Sequence, residues 1–280
     1  MGGSHFLQED LLTYRLSEGV GLFELGKMYR PRDIVLAFST RLGGVSQGPF
    51  DSLNLGMHVG DEALAVQENR RRFSRALGIT ASDWVVGEQV HSNKVISVTD
   101  HHRGRGALAK DTAIWGVDGL VTATPGLWLV CFYADCVPMV FWDEKVRVVG
   151  IAHGGWRGTL QNVGGEAVKS MVKSFACSPR NIHAIIGPAI GSCCYYVGED
   201  VAEEFRGRFP VGVIGWMDNG ITLDLKEANR QQLVASGLID SQIYVSDLCT
   251  ACNQELFFSY RRDKSPTGRM VACVGLRDLR

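Results

Sequence analysis

With 280 residues, 45% of them hydrophobic and 21% charged, the chain has apolar material for one large domain; a fold of this size hides roughly three-quarters of the surface of its unfolded form, so its core needs no disulfides. A formal net charge of -1 provides no field for a polyanion, which argues against nucleic acid and anionic membrane as partners and favours a small substrate. The opening MGGSHFLQEDLL has neither the basic head nor the unbroken apolar stretch of an export signal, so a cytoplasmic location is expected, with the eight cysteines reduced.

Residues 1–30 read as an N-terminal segment, with Met1 to His5 an expression remnant, and 31–280 as a single catalytic domain. A strand is predicted at 34–39, followed by the Gly-rich, polar STRLGGVSQGPFDSLNLG. This stretch suits either a binding loop, with Arg41, Ser46 and Asn54 as substrate contacts, or a mobile surface loop. Residues 61–77 have helical spacing, with Ala63, Val66, Phe73 and Leu77 on one face and Gly78 as a stop. Strands follow at 84–90 and 95–98. The most apolar run, 127–142, is broken by Asp135 and Pro138 and is shorter than the roughly 20 residues that cross a bilayer. It reads as buried strand, with the strand-like run itself at 127–134. Further strands are predicted at 146–152, 182–186, 221–223, 242–245 and 270–274, and helices at 159–175, 201–209 and 225–235. Neither repeats nor low-complexity linkers divide the chain. The mixture, with several strands not separated by helices, predicts an α/β fold of α+β type, with layered mixed sheets and flanking helices.

Three metal-ligand residues stand at the ends of apolar strands: His91 in GEQVHSNKV, Cys136 in FYADCVPMV and His153 in VGIAHGGWRG. Their spacings of 45 and 17 residues exclude a zinc knuckle, so any shared site is built by tertiary structure. Two imidazoles, a thiolate and an open position match a catalytic zinc site. The competing reading is two satisfied histidines and a core thiol. Asp135, at the end of an apolar strand, orients a ligand or binds substrate, or else caps a helix or forms a local ion pair. After His153, the glycines Gly154, Gly155 and Gly158 with Arg157 can cradle an anion such as phosphate, or form an ordinary turn.

The stretches STRLGGVSQGPFDSLNLGMHVGD, ENRRRF, GEQVHSNKV, DGLVTATPG, ADCVPMV, AHGGWRGTL, GPAIGSCCYYVG, DLKEANRQQL and SYRRDKSPTGRM occur in order from Ser39 to Met270. In them the chain resembles the YfiH/YlmD-type family, once described as laccase-like multicopper polyphenol oxidases and now as purine nucleoside phosphorylases. The resemblance implies a fold similar to a layered cysteine-hydrolase-like fold. It also implies zinc on His91, Cys136 and His153, with copper as an in vitro substitute. The implied reactions are phosphorolysis of adenosine, inosine, guanosine and methylthioadenosine, with deamination of adenosine. The partners would then be a purine nucleoside and phosphate, and the protein a monomer or homodimer. The HxE and PCxxC signatures of cytidine-type deaminases are absent from the sequence.

Three rivals remain. Met139 beside the His–Cys–His set resembles a blue-copper arrangement, although a multicopper oxidase needs more imidazoles than seven histidines without a His-x-His pair provide. A thiol amidase editing peptidoglycan precursors would use Cys136 as nucleophile, His153 as base and Asp135 or His91 to orient it. A non-catalytic metal-binding protein is the third. Cys249 and Cys252 form a CxxC without a second CxxC and read as packing thiols, and Cys193 and Cys194 as loop or core residues. Tyr260, Arg261 and His58 could approach the site.

Overall fold

The computed structural model describes residues 11–29, 31 and 33–278; the expression remnant expected at Met1 to His5 lies outside them. The apolar runs become strands β1 (Leu12–Ser17), β2 (Val20–Leu25), β3 (Ile34–Ser39), β4 (Trp84–Val86), β5 (Val95–Ser97), β6 (Gly119–Thr122), β7 (Trp128–Tyr133), β8 (Val137–Asp143), β9 (Val148–Gly154), β10 (His183–Ile186), β11 (Ile214–Met217), β12 (Gly220–Leu223), β13 (Ile243–Val245) and β14 (Met270–Leu276). The helices are α1 (Ala63–Leu77), α2 (Trp156–Leu160), α3 (Val163–Phe175), α4 (Glu199–Arg206), α5 (Leu225–Ala235) and α6 (Tyr260–Asp263).

Two six-stranded mixed sheets form, in the orders β1-β2-β3-β14-β7-β4 and β13-β10-β8-β9-β6-β5, with β11 and β12 as a separate pair. Each large sheet is antiparallel through its middle and ends in a parallel strand, β4 on β7 in the first and β5 on β6 in the second. Residues 12–25, assigned above to the N-terminal segment, are the β1–β2 hairpin that extends the first sheet from β3.

Alternation along the strands sorts side chains into layers. Leu129, Cys131 and Tyr133 of β7 and Ala272 and Val274 of β14 meet Val140, Trp142, Val149 and Ile151 of the second sheet in one buried cluster. On the outer face of the first sheet Val130, Phe132 and Cys273 pack with Phe73 and Leu77 of α1. On the outer face of the second, Met139, Phe141 and Ala152 pack with Val163, Ala167 and Met171 of α3 and Leu233 of α5. The result is four layers, α/β/β/α, and strands buried on both faces read as continuous apolar runs.

Register places the functional loops. β7 leads directly into β8 in the other sheet, and β4 leads across to β5. The start of β8 lies opposite the end of β9, Val137 to Gly154, and the start of β14 lies opposite the end of β7, Met270 to Tyr133. The β4–β5 and β7–β8 crossings, the end of β9 and the start of β14 therefore converge at one end of the inter-sheet layer.

Candidate metal centre

His91, Cys136 and His153 meet there, with one ligand atom from each lying within 4.8 Å of the others. They reach the site from different backbone settings. His91 lies in the β4–β5 crossing, five residues past the observed strand end at Val86; Cys136 occupies the β7–β8 turn; His153 is inside β9. The expectation that all three sit just beyond strands is corrected accordingly. On β9, His153 shares the inward face with Val149 and Ile151, so it points into the inter-sheet layer at its open end.

The residue that organises the site is Asp118, immediately before β6 and 2% exposed. Its Oδ1 accepts from His153 Nδ1 at 3.1 Å and from the His91 N–H at 3.0 Å. Its Oδ2 accepts from the N–H groups of Val90 (3.1 Å) and Ser92 (2.8 Å) and from the Ser92 hydroxyl at 2.8 Å. Three successive backbone donors thus wrap one carboxylate, an anion nest that accounts for the positive φ of 60° at His91. With Nδ1 held by Asp118, His153 is left with Nε2 for the centre. His91 Nε2 is 3.9 Å from Cys136 Sγ. Zinc–nitrogen and zinc–sulfur bonds of about 2.0 and 2.3 Å at a tetrahedral angle would separate these atoms by about 3.5 Å, so one ion fits with minor adjustment.

The electrostatics favour a thiolate. Burial pushes the Cys136 thiol up, but the His153 charge and hydrogen bonds from His153 and His91 outweigh it and bring it down to about 6. Burial in turn opposes the charged form of His153, and Cys136 and Asp118 overcome it and raise the imidazole to about 9.

Gly155 is required by packing. A Cβ there would lie 2.6 Å from His91 Cδ2 and 3.2 Å from Cys136 Sγ. Arg157 is exposed, stacks over the neighbouring Trp156 ring at 4.2 Å, and lines an open groove with Gln161, Asp200 and Glu204. Arg269, immediately before β14, is the partly buried cation whose charge is felt by Cys136 and Asp135. Tyr195 is close enough to feel Cys136, Arg261 and Arg157, and Arg261 stacks over its ring at 4.8 Å. His58 lies edge-on to Phe132, and its pKa is lowered by desolvation and by the charges of Arg269 and Arg70. Tyr260 packs under Arg269.

Other expected residues lie in the supporting scaffold. Asp135 accepts from Thr250 Oγ1 at 2.6 Å and from the Arg261 N–H at 2.7 Å in the first turn of α6, so the helix-capping alternative describes its contacts. Arg41 donates to Asp51 O and Gln254 O and stacks on Phe258. Buried Asn54 accepts from the N–H groups of Gly56 and Arg269 and donates to Asp61. Ser46 donates to Asp61, and Asn69 of α1 ties Ser46 to the carbonyls of Ser52 and Asn54. The Gly-rich stretch is thus an ordered loop built around a polar core. Met139 belongs to the outer cluster on α3, away from Cys136, which removes the axial thioether of the blue-copper reading. Among the residues that sequence reasoning missed, Asp118 carried a signal, a carboxylate opening the apolar GLV strand; Arg269 and Tyr195 carried none.

A four-layer α/β/β/α fold with two imidazoles and a thiol converging at the open end of its inter-sheet layer defines a class of mixed α/β proteins with a candidate His–Cys–His metal site between two sheets. Residues 35–277 match the family described as multi-copper polyphenol oxidoreductase laccase, and the chain belongs to this YfiH/YlmD family. It is 45% identical over 248 residues to the purine nucleoside phosphorylase YlmD of Geobacillus stearothermophilus, covering 87% of this chain and 90% of the relative. It is 37% identical to the purine nucleoside phosphorylase YfiH of Escherichia coli, covering 88% and 96%. The crystal structure of YlmD from G. stearothermophilus superposes with a TM-score of 0.90 at 41% identity, covering 96% of this chain and 100% of that one. No helix among the described residues is long and apolar enough to cross a membrane.

Proposed function

We propose that the chain acts as one catalytic domain that includes the β1–β2 hairpin as well as residues 31–280, a zinc-dependent purine nucleoside phosphorylase with adenosine deaminase activity. The observation that carries this reading is the set of groups within electrostatic reach of Cys136: Arg269 directly, and Tyr195, which also feels Arg157 and carries Arg261 stacked on its ring at 4.8 Å, a cationic and aromatic surround suited to phosphate and a purine. Relatives named as purine nucleoside phosphorylases over nearly the whole chain support it.

Phosphorolysis breaks the C1′–N bond and forms a C1′–O bond to phosphate, while the purine leaves with the bonding pair. In this scheme Arg269 holds the phosphate charge near the centre and Arg157 meets it at the rim. Tyr195 offers a ring face to the base, and Asp118 keeps His91 and His153 aimed. Gly155 admits the close approach of the turn. When bound, zinc supplies a Lewis acid to stabilise the departing base and to acidify water for attack at C6 of adenosine. The substrate range is adenosine, inosine, guanosine and methylthioadenosine.

The test is incubation of metal-replete protein with inosine or adenosine, with and without phosphate, followed by separation of base and sugar products. Phosphate-dependent ribose 1-phosphate supports the reading. Free ribose, or no turnover, overturns it.

A second reading draws on one observation. Cys136, His153 and Asp118 stand in the order of nucleophile, base and orienting carboxylate, with Asp118 in the place expected for Asp135 or His91. A thiol amidase would be active without metal and inhibited by zinc, whereas the phosphorylase requires the metal.

A further inference from the structure

The CxxC has company. Strands β10 and β13 run parallel as neighbours, Ile186 beside Val245, so both chains leave the sheet side by side. Parallel pairing continues past the strand ends through the Ala189–Cys249 bridge, where the Thr250 N–H donates to Ala189 O at 3.0 Å. This brings Cys193 and Cys194 of one loop against Cys249 and Cys252 of the other, with all four sulfurs within 4.8 Å of one another. Cys193 and Cys194 lie 3.6 and 3.4 Å from Cys252 Sγ and 3.8 Å from each other.

None of the four is in a disulfide. A disulfide would hold two sulfurs about 2.0 Å apart. Four thiolates about 2.3 Å from one tetrahedral ion would lie about 3.8 Å apart, close to the separations seen. The backbone is arranged for thiolates as well. Cys249 Sγ accepts from the Gly191 N–H at 3.2 Å, and the backbone of Ala251 and Cys252 also favours its thiolate. Lys226 of α5, buried with its ammonium donating to Ser246 O, lies within electrostatic reach of Cys249 and Cys193. A buried cation beside the cluster offsets the net negative charge of four thiolates around a divalent ion.

We propose that Cys193, Cys194, Cys249 and Cys252 form a second metal site, a closed tetrathiolate centre for a single zinc ion, distinct from the His–Cys–His centre. The compact spacing suits one ion, and four protein sulfurs leave no open position, so the role is structural. Binding displaces the thiol protons to solvent. The ion clamps the loop after β10 to the loop after β13, and both reach the first centre. Thr250, inside the CxxC, donates to Asp135 beside Cys136; Tyr195 follows Cys194 and feels the Cys136 charge. Arg262 donates to the carbonyls of Thr250 and Ala251, joining α6 to the same clamp. The proposal does not depend on which reaction the first centre performs.

The test is elemental analysis of protein purified under reducing conditions, with zinc present and chelators absent. Wild type should carry two zinc ions per chain, and Cys136→Ala and the double variant Cys193→Ser/Cys252→Ser one each. Cobalt-exchanged Cys136→Ala should show the intense sulfur-to-cobalt charge-transfer absorption of a tetrathiolate. If the double variant does not fold, mercurial titration of Cys136→Ala decides: release of one zinc supports the site. Metal-free Cys136→Ala, a zinc count unchanged by the double substitution, or a mass lowered by disulfide formation among these four residues would overturn it.

Discussion

Two carboxylates show what single residues contribute. Asp118 accepts five hydrogen bonds, one from His153 and four from residues 90–92, so it sets both imidazoles at once. Asp118→Asn keeps the shape but turns one acceptor oxygen into a donor facing N–H groups, and we expect metal affinity to fall roughly 10- to 100-fold in competition with a chelating dye. An unchanged affinity would show that the histidines need no orienting partner. Asp263 works on the surrounding residues. It accepts from the Ser259 N–H, Thr267 Oγ1 and Arg262. Burial pushes its carboxyl up, but Arg262 and Ser259 outweigh this and hold it below the usual carboxylate value. A depressed folded-state pKa contributes stability that is present above the unfolded value near 4 and is lost as pH falls through the folded value. Because the residue is exposed, Asp263→Asn should cost only about 1 kcal/mol at pH 7 in urea unfolding. The gap from wild type should close toward pH 3. A gap independent of pH would mean that the charge is not what holds the loop.

At the scale of elements, what was legible depended on whether local periodicity was the deciding force. Strand β3 and helix α5 fall where the sequence places them, since each has a clear pattern and a clear stop. The strand expected at 127–134 is β7, with the chain reversing at Asp135, φ 93°, but the rest of the apolar run forms β8 in the other sheet, where no strand was expected. Apolar on both faces, β8 carries no alternation to mark it as a second strand. β1 was missed because it is an edge strand, with four exposed residues in its middle. The helix expected at 159–175 divides into α2 and α3 at Asn162, which has left-handed φ of 60° and caps α3 by accepting from the Gly165 N–H. Asn162→Ala loses the cap and strains the backbone, and should cost about 2 kcal/mol in chemical denaturation. Asn162→Gly loses the cap alone and should cost less. Equal losses would locate the effect in the cap and not in the backbone. In the turn before α2, Gly155→Ala introduces no φ strain at -73° but presses on the His91 ring, so metal content should fall while the fold persists. Retained metal would mean that His91 can shift without leaving the centre.

At the scale of the molecule, the metal ligands were legible as residue types and their supports were not. Asp118 lies 35 residues before His153, and the two cysteine pairs come together only because β10 and β13 are parallel neighbours. Long-range register of that kind leaves no local trace. The same topology gives the first centre a role in stability. His91 and Cys136 lie on the two direct crossings between sheets, and His153 ends the inward face of β9, so an ion on all three joins the layers at their open end. The unfolded chain holds these residues 45 and 17 positions apart and binds the ion far more weakly, so binding shifts the folding equilibrium by mass action. At a free zinc concentration 100 times the dissociation constant, the gain is about 2.7 kcal/mol, or roughly 5–10 °C in Tm for a chain of this size. Zinc returned to chelated protein should therefore raise the Tm of wild type by more than that of Cys136→Ala, with the difference growing as free zinc rises. Equal rises in the two proteins would show that the His–Cys–His centre adds nothing to the joining of the sheets, and that any stabilising ion sits elsewhere.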